Sequence, residues 1–299
     1  MKKKLQGSLS LLLATVIWGG AFVAQSAGMD LIGPFTFQAI RCLLAVLALL
    51  AVIACIEIKD LRQSIRKWAD RRLWKAGVIC GCALFISTSL QQVGLVETDA
   101  GKAGFITAMY IVVVPIFGLF LRKTPSPAAV FSVFLAVIGM YLLCCAGVTQ
   151  VSTGDLLILG CAIAFAVQIT LIDRFASNID ALRLNCIQAL VVAVLSFILM
   201  LVYEKPNMKH IMNCWLPLGY AGVLSMGMAY TLQIIGQRHL EPTTASLIMS
   251  LESVFAVVFG TMLLHETMTI WEAAGCVLVF AAVILSQIQF PKRSKVALR

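Results

Sequence analysis

The stretch SLIMSLESVFAVVFGTMLLHE, residues 246–266, is long and apolar enough to cross a bilayer, yet it carries Glu252 near its centre. A spanning helix needs roughly 20 mainly apolar residues. The rest of the chain asks for the same solvent. Of its 299 residues, 61% are hydrophobic and 12% charged, and the mean hydropathy is +0.96, far more apolar than a domain whose surface is wetted. About ten stretches of span length follow, near residues 7–28, 35–56, 76–96, 102–121, 128–147, 154–174, 183–203, 215–236, 244–264 and 270–290. Their connections are short, which leaves little chain for a separate soluble domain.

A net charge of +9 would suit nucleic acid, but its distribution fits a membrane instead. With the amino terminus inside, cytoplasmic segments collect Lys2, Lys3, Lys4, the seven bases of EIKDLRQSIRKWADRRLWK, Arg122, Lys123, Arg174, Arg183, Arg238, Lys292, Arg293, Lys295 and Arg299. Outside there remain Lys102, Lys205 and Lys209. This asymmetry is the positive-inside rule, and it places both termini in the cytoplasm. Within the loop at 57–75, Ile58, Leu61, Ile65 and Trp68 recur at helical spacing among bases, which predicts a short helix lying on the inner leaflet.

The basic head and oily middle of MKKKLQGSLSLLLATVIWGGAFVAQSAG resemble a signal peptide, but the stretch is of full span length and resembles a later span, so no cleavage is expected. The ten cysteines fall mostly inside spans, where they act as small apolar side chains. Cys80 and Cys82 are not at metal-ligand spacing, and His210, His239 and His265 are far apart, so neither a metal nor a cofactor is implied.

Sliding the chain on itself by 142 residues lays Gly77 on Gly219, Gln91 on Gln233, Gly94 on Gly236, Ala103 on Ala245 and Gly118 on Gly260. A shift of 147 lays Gly7, Leu9 and Leu12 on Gly154, Leu156 and Leu159, and puts Trp18 opposite Phe165. These matches predict a duplicated five-span unit. Five is odd, so the second copy enters the membrane from the opposite side. The expected fold is an all-α integral membrane protein of ten transmembrane helices in two inverted five-helix repeats, 1–147 and 154–290, with a basic cytoplasmic tail at 291–299. Such repeats place a binding site near the midplane, between the halves, that opens alternately to each side.

The segments IWGGAFV at 17–23, PFTFQAIR at 34–41, AGKAGFITAMYIVVVP at 100–115 and LEPTTASLIMSLESVFAVVFGTMLLHETMTIWEAAGCVLVFAAVIL at 240–285 carry a resemblance. They resemble the ten-helix members of the drug/metabolite transporter superfamily, with two EamA-type domains. The resemblance implies a multi-pass carrier of the inner or plasma membrane; similar proteins export amino acids, other metabolites or drugs, and some import. Where that family often has Glu-Pro in its ninth helix this chain has Glu252-Ser253, which removes an expected kink.

A carboxylate at the centre of a spanning helix costs roughly 2.5–3.5 kcal/mol on insertion scales, so Glu252 should not face lipid. Its helical neighbours are Ala245, Met249, Ala256 and Gly260, beside a stripe of Ser246, Ser250 and Ser253, while Leu247, Leu251, Val254, Val258 and Met262 lie opposite. Small and polar on one side, bulky on the other, marks an inward-facing helix. The 142-residue shift puts Tyr110 at the position of Glu252, and a phenol can donate a hydrogen bond to a carboxylate. Three readings of Glu252 stand open: a proton-coupling group, a partner for a cationic group on the substrate, and a neutral packing residue.

Arg41, about two turns into the second span, matches an arginine frequent in the family. It can bind a substrate carboxylate, pair with an acid, snorkel, or tie helix ends. Gln91 and Gln233 recur at matching repeat positions; Gln92, Gln168, Tyr230, Ser250 and Trp18 are further candidates, each able instead to join helices by hydrogen bonds or packing. His265 and Glu266 are expected to cap or orient the turn after the ninth span, and Gly77 and Gly81 to allow close helix contact.

These features point to a secondary carrier in the lipid bilayer that exports a small molecule such as an amino acid or a relative by alternating access, driven by the solute's own gradient or coupled to protons. The runners-up are a proton-coupled multidrug or cationic-compound exporter and a non-transporting sensor. No GxxxxGK[ST] loop is present for a nucleotide. An intramembrane enzyme would need a nucleophile with its base or a carboxylate pair, and the spans hold one embedded carboxylate and no histidine.

Overall fold

A computed structural model describes residues 2–58, 61–120, 125–144, 151–264 and 269–287, and among these every regular element is helical. In chain order the helices are α1 (Lys2–Met29), α2 (Pro34–Ile56), α3 (Leu61–Trp68), α4 (Arg71–Gly94), α5 (Ala100–Ala108), α6 (Tyr110–Phe120), α7 (Pro127–Cys144) and α8 (Thr153–Phe175). There follow α9 (Ala181–Tyr203), α10 (Met208–Asn213), α11 (Trp215–Gly219), a π-helical segment (Tyr220–Ala229), α12 (Tyr230–Gln237), α13 (Pro242–Met249), α14 (Leu251–Leu264) and α15 (Ile270–Gln287).

Local chemistry explains several starts. Pro34 opens α2, where its missing N–H leaves no ladder bond unmade. Ser152 and Asp155 form a reciprocal capping box at α8, and Asp70 and Asp180 cap α4 and α9.

Eight stretches are long and apolar enough to cross a membrane: Lys2–Met29, Pro34–Ile56, Arg71–Gly94, Ala100–Phe120, Thr153–Asn178, Ala181–Tyr203, Trp215–Gln237 and Pro242–Met262. They coincide with eight of the ten expected spans. At the fifth and tenth places the described residues hold shorter apolar helices, Pro127–Leu142 and Ala273–Ser286. Leucines and phenylalanines such as Leu43, Leu47, Phe197 and Leu201 stand exposed along α2 and α9, a surface suited to acyl chains. Helix α3 forms where the loop predicted an interfacial helix, with Ile58 and Ile65 exposed beside its bases. His265 and Glu266, Arg122 and Lys123, and the tail at 291–299 lie outside the described residues.

The packing has a regular pattern. Helix α4 packs on α8 and α12 on α1; α4 on α9 and the π segment on α2; α5 and α6 on α8, and α14 and α13 on α1. Helices α2 and α9 pack on each other, as do α7 and α15. The list maps onto itself when earlier helices are exchanged for their counterparts in the later part of the chain. Gly77 and Gly81 carry the contact of α4 with α9: a Cβ on them would lie 2.5 Å from Ile187 Cγ2 and 2.8 Å from Val191 Cβ.

One expectation is corrected. Replacing Glu-Pro by Glu252-Ser253 was to remove a kink from the ninth span, yet that span breaks at Ser250, between α13 and α14. Ser246, Ser250 and Ser253 each donate their hydroxyl to the carbonyl three residues earlier, at 2.8–2.9 Å. Such back-bonding competes with the helix ladder and bends it without proline. The fourth span also breaks, between α5 and α6, with Pro115 one turn beyond Ile111.

Candidate functional site

The two broken spans face each other across a narrow, partly open cleft with a cavity volume of about 30 Å³. Tyr110, the first residue of α6, donates its hydroxyl to Glu252 Oε1 at 3.1 Å. Glu252 lies in the first turn of α14, where the positive end of the helix dipole favours a carboxylate. It is 6% exposed, and Tyr110 3%.

Arg41 reaches the same cleft from α2. At 3% exposure it does not snorkel, and it forms no ion pair with an acid among the described residues. Its guanidinium donates to the side-chain carbonyl of Gln25 and, at 3.4 Å, to that of Gln38; its Nε has no partner. Gln38 is itself held by the hydroxyls of Ser89 at 2.9 Å and Ser196 at 3.0 Å, so four helices, α1, α2, α4 and α9, position the cation. Phe37 adds its ring face, 5.8 Å from the guanidinium carbon. All these partners are neutral. No ion pair joins Arg41 to Glu252 among the described residues, so the cleft presents one cation and one carboxyl group from different helices.

Aromatic and amide groups complete the walls. Trp18 meets Tyr230 edge-on, with ring centroids 5.0 Å apart, and its indole N–H lacks a partner. Phe165, matched to Trp18 by the 147-residue shift, lines the cleft as well. Gln91 donates to Thr107 at 3.2 Å, and Gln233 to Gln168 at 3.2 Å.

Of the ten residues expected at the site, Glu252, Tyr110, Arg41, Gln91, Gln233, Tyr230 and Trp18 line the cleft. Three do not. Gln168 stands one layer behind, against Gln233; Gln92 turns away and donates to Met29 Sδ at 3.1 Å; Ser250 is spent on its own helix backbone. Sequence reasoning missed Gln25, Gln38, Thr107 and Asn185. Gln25 falls at helical spacing after Trp18 and Phe22, both of which line the cleft, and that periodicity was a readable signal.

Asn185, on α9, gave no sequence signal at all. Its amide donates to the carbonyls of Met226 and Gly227, each at 2.9 Å, and to Thr231 Oγ1 at 3.0 Å. A π-helical stretch turns its last carbonyls out of register with the following α-helix. Asn185 takes up those carbonyls and so fixes the junction that delivers Ser225 and Tyr230 to the cleft. Among the described residues no group of three or more His, Cys, Asp or Glu is placed to hold a metal.

Comparison with known proteins bears directly on this arrangement. Sequence comparison matches the EamA-like transporter family twice, over residues 5–145 and 152–287. The chain belongs to the EamA-like transporter family. It is similar to an uncharacterized transporter of Archaeoglobus fulgidus, 29% identical over 286 residues that cover 95% of this chain and 86% of that one. The uncharacterized transporter YoaV of Bacillus subtilis is 21% identical, over 95% of this chain and 98% of its own. A protein of known crystal structure shares the fold with a TM-score of 0.78 over 94% of this chain and 96% of that one, at 17% identity. This EamA-like chain is therefore a multi-pass membrane transporter, and its cleft is the place to look for a solute.

Proposed function

We propose that this transporter is a secondary carrier for a small metabolite, an amino acid or a related compound, that works by alternating access as an exporter in the cell membrane. The observation that carries the reading is the pair Arg41 and Glu252: buried groups on one cleft, of opposite formal charge when ionised, each bonded to neutral partners and not to each other. A zwitterionic solute bridges such a pair, its carboxylate on Arg41 and its amino group on Glu252. The two family matches and the self-mapping helix packing support an inverted repeat, which supplies a midplane site with two exits. The positive-inside distribution supports cytoplasmic termini.

Reconstitution of the purified chain in liposomes tests this reading, with counterflow of a radiolabelled amino-acid mixture as the readout. Absence of flux under every condition would favour a non-transporting sensor. Arg41→Gln is expected to weaken binding of carboxylate-bearing solutes about tenfold or more, since a hydrogen bond to a charged group contributes roughly 1.5–3 kcal/mol. Equal loss for solutes without a carboxylate would overturn the role of Arg41.

A second reading, a proton-coupled exporter of cationic compounds, draws on Tyr110 and Glu252. A buried carboxyl that accepts from a phenol is built to gain and lose a proton or a cation. For coupling, Glu252→Gln abolishes accumulation driven by a pH gradient and spares exchange down the solute gradient. For cation binding, the same variant loses affinity for amines at every pH.

A further inference from the structure

Behind the cleft, between α8 and α12, three glutamines form a seam of which Gln233 alone reaches the cleft. Gln233 lines the cleft and donates to Gln168 Oε1 at 3.2 Å; one turn further along α12, Gln237 donates to the carbonyl of Ile169 at 3.2 Å. All three are buried, at 2%, 0% and 3% exposure. Gln168 Nε2, Gln233 Oε1 and Gln237 Oε1 are buried without a partner. One donor and two acceptors are left over, on neutral groups, within a single helix interface. A monatomic ion satisfies only one of those kinds of atom, whereas water, a hydroxyl or an amide satisfies both.

The repeat-related position on the other side of the cleft is built differently. A shift of 142 lays Leu95 on Gln237, and a shift of 147 lays Ala21 on Gln168. There Gln91 is bonded to Thr107, Ala21 and Leu95 are buried, and Leu95 packs with Phe22, Ala103 and Ile158 in an apolar cluster. On that side the leftover is a single amide oxygen, Gln92 Oε1, whose amide nitrogen donates to Met29 Sδ, whereas at the seam three orphan amide atoms lie along one helix interface. The seam ends at Gln237, beside Arg238, whose guanidinium reaches the carbonyl of Ile179 in the turn between α8 and α9.

We propose that the α8–α12 seam is a hydrated polar passage, with a subsite for neutral hydrogen-bonding groups, that connects the cleft to the cytoplasmic face. The proposal rests on the membrane orientation and carrier reading given above. In it the charged ends of a solute are held in the cleft, and its hydroxyl or amide groups and accompanying water are handled by Gln168, Gln233 and Gln237. The opposite exit is closed by apolar packing and opens only when Phe22 and Leu95 separate.

Single cysteines at 168 and 237, in a chain whose native cysteines are replaced and which still folds, test the passage without knowledge of the solute. A charged, membrane-impermeant methanethiosulfonate added to the cytoplasmic side of membrane vesicles is expected to modify both at least about tenfold faster than Ala21→Cys or Leu95→Cys from that side, because thiolate chemistry requires water. Rates equal to those controls, or modification from the outer side alone, overturn the proposal. Gln168→Leu and Gln237→Leu supply the second measurement. The passage predicts an unchanged or raised melting temperature with amino-acid counterflow slowed about tenfold, and recovery of the rate in Gln168→Asn. A lowered melting temperature with an unchanged rate per folded molecule would mean helix glue and overturn it. Labelling without any flux removes the carrier reading and keeps the passage; flux without labelling does the reverse.

Discussion

Helices α2 and α9 are tied together at both ends, and the two ties use different chemistry. At one end Glu57, just past α2, binds the guanidinium of Arg183 through both carboxylate oxygens, while Ser64 Oγ accepts from the same guanidinium at 3.0 Å and Asp180 at 3.2 Å. At the other end Glu204, just past α9, accepts from the backbone N–H groups of Phe35 and Thr36, each at 2.8 Å, and from the Thr36 hydroxyl at 2.5 Å. A shift of 147 lays Thr36 on Arg183 and Glu57 on Glu204, so the ties occupy corresponding places in the two parts of the chain. The difference comes from the helix starts. Asp180 caps α9 locally, leaving Glu57 to take a side chain; Gly33 has no side chain to cap α2, so Glu204 supplies the cap from 168 residues away. Equivalent positions thus solve one problem, holding two helix ends together, with whichever donors the local sequence leaves free.

The largest effect is expected from Glu57→Ala. It leaves Arg183, which is 1% exposed, with Asp180 as its only remaining acid among the described residues. Losing its closer acid leaves the buried guanidinium under-compensated, and a fall in melting temperature of about 5 °C follows. A fall no larger than that of an exposed surface variant would show that the tie does not hold the helices.

Acid separates the ties next. Hydrogen bonds from Arg183, then Lys67 and Ser64, hold the Glu57 carboxyl down from 4.5 to about 2. A carboxyl whose folded-state value is depressed contributes stability that is present above the unfolded value and lost as pH falls through the folded one. The melting temperature should therefore drop between about pH 4.5 and 2, and Glu57→Gln should remove that part of the slope. An identical slope in the variant would break the assignment.

At the other end, Gly33→Ala places a Cβ 2.4 Å from the Glu204 carboxyl carbon and forces the cap off α2. Loss of a helix cap costs roughly 0.5–2 kcal/mol, about 2–4 °C, and Glu204→Ala should match it without adding to it in the double variant. Additive effects would mean that Gly33 acts otherwise. The smallest effect belongs to Lys67→Ala: its 2.6 Å pair with Glu57 is 43% exposed on the lysine side, and the melting temperature should not move measurably at physiological salt.

Much of this was legible in the residues. The pairing of Tyr110 with Glu252 followed from a 142-residue shift, because helical periodicity and repeat register together fix depth and facing side. Arg41 was readable as a buried charge but not as an unpaired one. Its partners Gln25 and Gln38 are ordinary amides whose significance depends on which helices stand within 3 Å. The break at Ser250 was misread because proline is a visible kink signal and serine back-bonding is visible only once hydroxyls and carbonyls have coordinates.

By itself the sequence determined the solvent, eight of the ten expected spans, the inward face of Glu252 and its meeting with Tyr110, since hydropathy and periodicity describe each helix against its surroundings. The tertiary structure alone decided which amides reach the cleft, that Arg41 keeps neutral company, and that α2 and α9 are tied by unlike chemistry at their two ends. Hydrogen bonds act over about 3 Å, and whether two helices 140 residues apart approach that closely is settled by packing, which no single helix encodes.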